Sequence, residues 1–547
     1  MFHLKIAYLT LIFIIYSTVK HVQGAERIFK TVNTPLGHIR GRLFNTTSGN
    51  PVYIFRGIPY AEPPVGQLRF KPPVPLSPWN DTKDALSYPE RCIQRLGDGT
   101  IEGVEDCLYL NVFTPELPSN ISVPRPVLVM IHGGCFMTGY AEERPLDFYI
   151  DHGIVVVTIQ YRLGALGFMS TGDSLLPGNL GMKDQVLALQ WIKQNILAFG
   201  GNPDEVTIEG QSSGGAAVQY HMMSPKSKGL FKRAIAQSGS ALCPWSFSKN
   251  ATDRTYRYTS YLGHDAQNSS DLMEFLMTVD AAALVEARYP ALNEEDRLST
   301  LICVWAPHVE PEHEDAFLTE EPWVIMSENR YTHVPYLTGV TDYELLIRTQ
   351  ENEMFGTEEG TQNLNDNFDG YVAHELRFPT REEQLNVSAQ IRQFYYGDSE
   401  ITLELNDTTA TMISDLMIVE AVDTTVRNMS RDSSEPVYYY QFSFSGPLNA
   451  YPDFPGASHG DDRRYMSYYT SLETDSAGYR IAMQLLQLWT NFVKYSDPIP
   501  YDTDELLTED WKQYEADSTN YLGIGSTLEA GTGLNKERMD FWHSVMP

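Results

Sequence analysis

The chain has 547 residues, 42% of them hydrophobic, and a formal net charge of −31. So large an acidic excess argues against nucleic acid or an anionic membrane as a partner and favours solubility. Length alone would allow two to four domains, but no Pro/Ser-rich linker, repeat period or low-complexity run divides the chain, so a single large domain is expected.

In chain order, Lys5 precedes the apolar run Ile6 to Val19, and Val22-Gln23-Gly24 offers small residues where a signal peptidase inspects. Residues 1–24 are therefore expected to be a secretory signal peptide and 25–547 the mature domain, secreted and extracellular. The apolar run is too short to span a bilayer comfortably, and a retained anchor is the alternative. No later segment reaches 18 apolar residues, and the C-terminal residues carry neither a retention tetrapeptide nor a GPI tail. Sequons at Asn45, Asn80, Asn120, Asn250, Asn268, Asn386, Asn406 and Asn428 fit a glycoprotein.

Five cysteines occur, so a secreted chain must keep at least one unpaired thiol. Cys92 and Cys107 are the best pair, and the short loop between them would be worth about 3 kcal/mol on the entropy model. Whether Cys243 pairs with Cys303 does not follow from spacing.

Val127-Leu128-Val129-Met130-Ile131 reads as a buried parallel strand that ends at His132-Gly133-Gly134, and Ile154 to Ile159 as a second. From Asp184 to Phe199 the residues Leu189, Ile192 and Ile196 share one helical face, stopped by Gly200-Gly201. Val206-Thr207-Ile208-Glu209 is a third strand. Strand, helix and strand with short joints predict a doubly wound sheet whose site lies at the carboxyl ends of the strands.

That third strand runs into Gly210-Gln211-Ser212-Ser213-Gly214, followed by small residues that open a helix. Strand, G-x-S-x-G and helix form a nucleophile elbow, a crowded turn that holds out a serine hydroxyl and needs glycines for clearance. A serine needs a base to take its proton and an acid to orient that base, and in this fold class both follow it in the chain. His459, in a glycine-flanked loop, is the candidate base. Glu344, in Leu337-Thr338-Gly339-Val340-Thr341-Asp342-Tyr343-Glu344 and just past an expected strand end, is the candidate acid, with Asp342 as competitor. The His132-Gly133-Gly134-Cys135-Phe136 loop would supply oxyanion donors through its backbone, and Ser213 another. The acidic stretches Glu351 to Asp369 and Thr503 to Asp517 read as surface loops or insertions.

The chain resembles the type B carboxylesterase/cholinesterase family of α/β-hydrolases from about Pro35 to Trp542. The likeness rests on Phe55-Arg56-Gly57-Ile58-Pro59-Tyr60-Ala61-Glu62-Pro63-Pro64, Glu105-Asp106-Cys107-Leu108-Tyr109-Leu110-Asn111, Tyr161-Arg162-Leu163-Gly164 and the elbow. The resemblance implies an α/β-hydrolase fold with a mostly parallel central sheet flanked by helices. It also implies a Ser212, Glu344, His459 triad, oxyanion donors at Gly134, Cys135 and Ser213 with Gly133 completing the loop, and a Cys92–Cys107 disulfide. Arg69 with Glu105 and Arg162 with Asp184 match the family's structural ion pairs. No metal or organic cofactor is implied.

The departures are informative. Gln211, Asp184-Gln185 and Thr490 are similar to insect juvenile hormone esterases, whereas Ser213 stands for their alanine. Cys135 replaces the third oxyanion glycine, Leu345 follows Glu344 where the family has glycine, and His264 and Phe275 stand where many relatives carry a second disulfide. The expected activity is hydrolysis of hydrophobic carboxylic esters through an acyl-enzyme, with juvenile-hormone-like methyl esters and xenobiotic esters as candidate substrates. The alternative is a non-catalytic adhesion or binding relative on the same fold.

Overall fold

The computed structural model describes residues 28–118, 123–141, 146–286, 289–294, 296–299, 301, 303–350, 353–500 and 506–546. The expected signal peptide, 1–24, lies outside the described residues.

A single twisted sheet organises the chain. Its main strands are β1 (Phe29–Thr34), β2 (Gly37–Asn45), β3 (Pro51–Pro59), β4 (Tyr109–Thr114), β5 (Arg125–Ile131), β6 (Val155–Ile159), β7 (Gly201–Gln211), β8 (Arg233–Gln237), β9 (Tyr336–Thr341), β10 (Val437–Phe442), β11 (Asn520–Ile524) and β12 (Leu528–Thr532). Their spatial order is β1-β2-β3-β4-β6-β5-β7-β8-β9-β10-β11-β12. From β6 across to β11 every neighbour is parallel, and both flanks are antiparallel.

The continuous apolar runs have the expected reason. In β5, Val127, Val129 and Ile131 pack into one core, and the alternate residues Leu128 and Met130 pack into the other. A strand covered on both faces has no polar side to show. Helices α1 (Leu180–Asn195) and α2 (Ser213–Met223) fill the first core, and α3 (Ala477–Tyr495) fills the second. Helix α1 starts four residues before the expected Asp184, behind Asn179, whose side chain reaches the His308 carbonyl (2.7 Å) and Glu310 (2.9 Å). Its 3-10 extension ends at Gly200, at φ +84°.

Two local expectations need correction. Much of the acidic stretch from 353 to 369 is helical, with Glu358–Asp366 capped by the Thr357 hydroxyl and Leu364 buried beneath it. Sparse apolar residues at helical spacing suffice when a cap starts the turn. Beyond 505, the second acidic stretch buries Leu507, Trp511 and Tyr514, and Trp511 donates to the Tyr439 carbonyl at 3.1 Å. It is a packed coil over the sheet.

Both implied ion pairs form. Arg69 meets Glu105 at 2.8 Å. Arg162 grips Asp184 through two side-chain bonds of 2.7 and 2.8 Å, and both groups are buried. Breaking such a pair from one side leaves an uncompensated charge in the interior. Asp184→Ala should therefore cost about 3–5 kcal/mol in urea unfolding, and Arg162→Met with Asp184→Leu should cost less than either single change. A double variant as unstable as Asp184→Ala would show that the pair carries no such strain.

Candidate active site

The elbow is built by contact between backbones. Ser212 sits at φ 61° and ψ −127°, a conformation rare for any residue with a side chain. It is held there by its own N–H on the Gln237 carbonyl (2.8 Å) and by its carbonyl, which accepts from Ala216 (3.0 Å). A Cβ at Gly210 would overlap Gly214, and one at Gly214 would overlap the Ile131 carbonyl. The glycines thus let β7 turn into α2 while touching β5.

β9 ends at Thr341, three residues before Glu344. Glu344 is fully buried, with Oε1 accepting the Thr341 N–H (2.8 Å) and Oε2 standing 2.6 Å from Nδ1 of His459. The His459 N–H also reaches the Glu344 carbonyl at 3.2 Å. Asp342 does another job, accepting the Ala457 N–H at 2.7 Å and so fixing the histidine loop. Burial raises its pKa to about 6. Leu345 adopts φ −112°, which needs no glycine, and its N–H donates to the Ser414 hydroxyl at 2.9 Å. Burial pulls the His459 pKa down, but the hydrogen bond and charge of Glu344, with Asp462 and Asp461 behind them, outweigh it and hold the pKa above the ordinary histidine value.

Nε2 of His459 faces a neighbour that sequence reasoning did not place. The Gln211 amide nitrogen stands 3.0 Å from it and donates to its lone pair, and among the described residues no hydrogen bond joins Ser212 to His459. Catalytic hydrogen bonds are often long or unformed without substrate. Gln211 therefore holds the resting imidazole with Nδ1 protonated toward Glu344.

The glycine loop after β5 lies over the elbow. His132 stacks on Tyr161 with ring centroids 4.3 Å apart, its Nδ1 lies 2.9 Å from the Gly133 carbonyl, and burial lowers its pKa to about 4, so it is neutral scaffold. Phe136 donates its N–H to the Ser213 hydroxyl at 3.2 Å, which joins the two halves of the expected oxyanion site. The N–H groups of Gly133, Gly134, Cys135 and Ser213 make no hydrogen bond to any described residue outside their own helix or strand. Among the described residues, the loop and the helix start thus present unengaged N–H groups beside Ser212.

Cys92 and Cys107 are bonded, as expected. Cys135 is bonded to Cys303, a pairing that the reading of Cys135 as a backbone donor did not anticipate, and Cys243 is the buried free thiol. His264 and Phe275 are indeed adjacent, their rings stacked 4.6 Å apart. Beyond the disulfide lies a cavity of about 530 Å³. Its walls include Leu242, Trp245, Phe247, Leu301, Trp323 and Phe378. Among the described residues no group of three or more His, Cys, Asp or Glu side chains could hold a metal ion.

The sheet order and the serine turn at the carboxyl end of β7 define an α/β-hydrolase. Residues 29–542 match the model of the Carboxylesterase family. The chain is 35% identical to Esterase FE4 of Myzus persicae over 84% of each chain, and 31% identical to a carboxylic ester hydrolase of Bombus ignitus over 94% of each. It is 30% identical to the juvenile hormone esterase of Tribolium castaneum, covering 86% of this chain and 84% of that one. The chain belongs to the carboxylesterase family and is a carboxylic ester hydrolase by that membership.

If His459 is the working base, activity must fall as pH drops through its raised pKa, so the acid limb of kcat/KM should lie above about pH 6.5. Gln211→Glu would replace a donor to the neutral ring with a charge that favours the imidazolium, and should move that limb up by about one unit. An unmoved limb would mean that Gln211 does not face the functional base.

Proposed function

We propose that this protein is a secreted serine carboxylesterase that hydrolyses hydrophobic esters through an acyl-enzyme on Ser212. The observation that carries this reading is the Glu344–His459 pair at 2.6 Å beside an elbow whose serine is held at positive φ. The Gln211 amide moves off Nε2 as substrate enters, and His459 takes the proton of Ser212, which attacks the ester carbonyl. Glu344 fixes the tautomer and stabilises the imidazolium. The free N–H groups of Gly134, Cys135 and Ser213, with Gly133 completing the loop, receive the developing oxyanion. His459 then protonates the leaving alcohol and activates the water that releases the acid.

Substrate preference follows from the walls. The cavity begins at Ala241 to Cys243, just past Gly239, which abuts the Ser212 carbonyl, and Cys303 on its wall is bonded to the oxyanion loop. Of its charged groups, Arg254 is paired with Asp296 (2.9 Å) and Arg377 with Glu420 (2.6 Å), and Lys249, Glu321 and Glu375 stand on the wall beside the apolar side chains. A choline ester would need an aromatic face for its cation, worth about 2 kcal/mol when desolvated. The loop from Ile93 to Asp106 carries none, and in the cavity the Trp323 face is already covered by the Arg377 guanidinium at 5.4 Å, whose charge opposes a second cation there. Gln211 and the likeness to the beetle enzyme favour juvenile-hormone-like methyl esters, with xenobiotic esters next. Secretion and glycosylation are supported by the N-terminal apolar segment and by the exposure of Asn45, Asn80, Asn250, Asn268 and Asn386.

Ser212→Ala should abolish turnover and covalent labelling by an organophosphate while leaving thermal unfolding unchanged. Labelling at Ser213 would overturn the assignment, and a wild-type chain inert to every ester would favour a binding role on this fold. Glu344→Gln should lower kcat by about 10⁴-fold; greater damage from Asp342→Asn would make Asp342 the acid. For substrate, kcat/KM for a juvenile-hormone methyl ester and a naphthyl ester should each exceed that for acetylthiocholine. The reverse order would refute a hydrophobic preference.

A further inference from the structure

The oxyanion loop is under an unusual conformational demand. Gly134, Cys135 and Phe136 stand at φ +107°, +60° and +56° in succession, and only the first is a glycine. L-residues avoid this region because Cβ crowds the neighbouring backbone, so the loop needs something outside itself to keep Cys135 and Phe136 there. Phe136 is fully buried, its N–H is on the Ser213 hydroxyl and its carbonyl accepts from Gly164 at 2.8 Å. Cys135 has no such tie through its backbone: its N–H and carbonyl make no hydrogen bond to any described residue. What holds it is the covalent bond from its sulfur to Cys303.

The far end of that bond is well anchored. Cys303 is buried, and the next carbonyl, on Val304, accepts from Arg254 at 2.7 Å. Arg254 is itself fixed by Asp296. Trp305 follows, almost fully buried, edge-on to Tyr258 with centroids 5.5 Å apart. The disulfide therefore fastens a strained residue, whose backbone bonds to no described residue, to a buried and hydrogen-bonded segment.

We propose that Cys303 is a positioning residue for ester hydrolysis, and that its disulfide to Cys135 aims the Cys135 N–H at the oxyanion. The inference rests on the oxyanion role given to this loop under the proposed function. Such a donor contributes only if it points at the charge as it develops, so loosening Cys135 weakens transition-state binding while ground-state binding in the apolar cavity stays as it was.

The test uses the full mature chain from a eukaryotic secretion host, with p-nitrophenyl butyrate as substrate and active sites titrated by an organophosphate. Peptide mapping of the wild type should recover Cys135 and Cys303 as one linked pair; finding both as free thiols would end the proposal. Cys303→Ser should lower kcat about tenfold or more with KM within twofold, and weaken a trifluoromethyl ketone inhibitor in proportion to kcat/KM. Unchanged kcat and inhibitor affinity would overturn it.

Because Cys303→Ser could also impair folding, two further variants share that background. Cys135→Gly with Cys303→Ser lets the loop adopt positive φ without a tether, and should exceed Cys135→Ser with Cys303→Ser in kcat by several-fold at similar Tm. Equal rates for the two would refute the positioning role. A dead Ser212→Ala beside a normal Cys303→Ser would reject only this inference, whereas an active Ser212→Ala would reject the hydrolase reading beneath it.

Discussion

The arrangement depends on one steric constraint, the closure of the turn between β7 and α2. Gly210 and Gly214 approach so closely that neither could carry a Cβ, and Gly214 in turn lies on the carbonyl of Ile131 at the end of β5. That contact sets two distances together: how far the Ser212 hydroxyl stands above the sheet, and how near the loop after β5 comes to it. The strain stored at Ser212 persists because β8 and α2 hold its backbone while β5 lies against Gly214. A looser turn would displace the loop proposed to receive the oxyanion as well as the serine.

Electrostatics then decide what the site does at neutral pH. His459 is flanked by carboxylates, with Glu344 on Nδ1 and Asp461 and Asp462 following it in the chain. Asp461 is pinned by the N–H groups of Ser458 (2.7 Å) and Ala450 (2.8 Å), and Asp462 by Tyr440 (2.6 Å) and Gln237 (3.1 Å). Fixed acceptors of this kind stabilise a transient imidazolium without reorganising, and that is where a preorganised site gains over water. Gln211 opposes them, because its amide favours the neutral ring. Under the proposed mechanism the resting imidazole is held between these two tendencies, ready to accept a proton and to give it up again.

The features legible in the sequence were those carried by local pattern. Buried parallel strands must be apolar throughout, so Val127 to Ile131 and Ile154 to Ile159 declared themselves, and the elbow needs its glycines at fixed offsets. Glu344 was expected as the acid because it follows β9 closely; its carboxylate meets the imidazole, and that of Asp342 meets the Ala457 N–H. What stayed hidden depends on segments brought together only by folding. Ser414 supports the Leu345 N–H from 69 residues away, and Cys303 reaches Cys135 across a separation of 168. No spacing rule links such positions. The helix at Glu358–Asp366 was masked by its charge, since only Thr361 and Leu364 in it are buried.

The departures from the family pattern converge on one loop. Ser213 stands where relatives carry alanine, and its hydroxyl accepts the Phe136 N–H. Cys135 stands where they carry glycine, and its sulfur is bonded to Cys303. At the other end of the loop, Gln94 brackets Gly139, accepting its N–H at 2.8 Å and donating to its carbonyl at 2.9 Å, from a position two residues past the disulfide-bonded Cys92. The stretch from His132 to Gly139 is therefore braced at both ends by segments that disulfides hold. Glycine lets an oxyanion loop adopt positive φ by removing the steric penalty, but it also leaves the loop free to leave that conformation. Side chains with external anchors reach the same geometry by the opposite route, accepting strain and then closing off the alternatives. A loop built this way should give up less conformational freedom when the tetrahedral intermediate forms, because its order is already present in the resting protein.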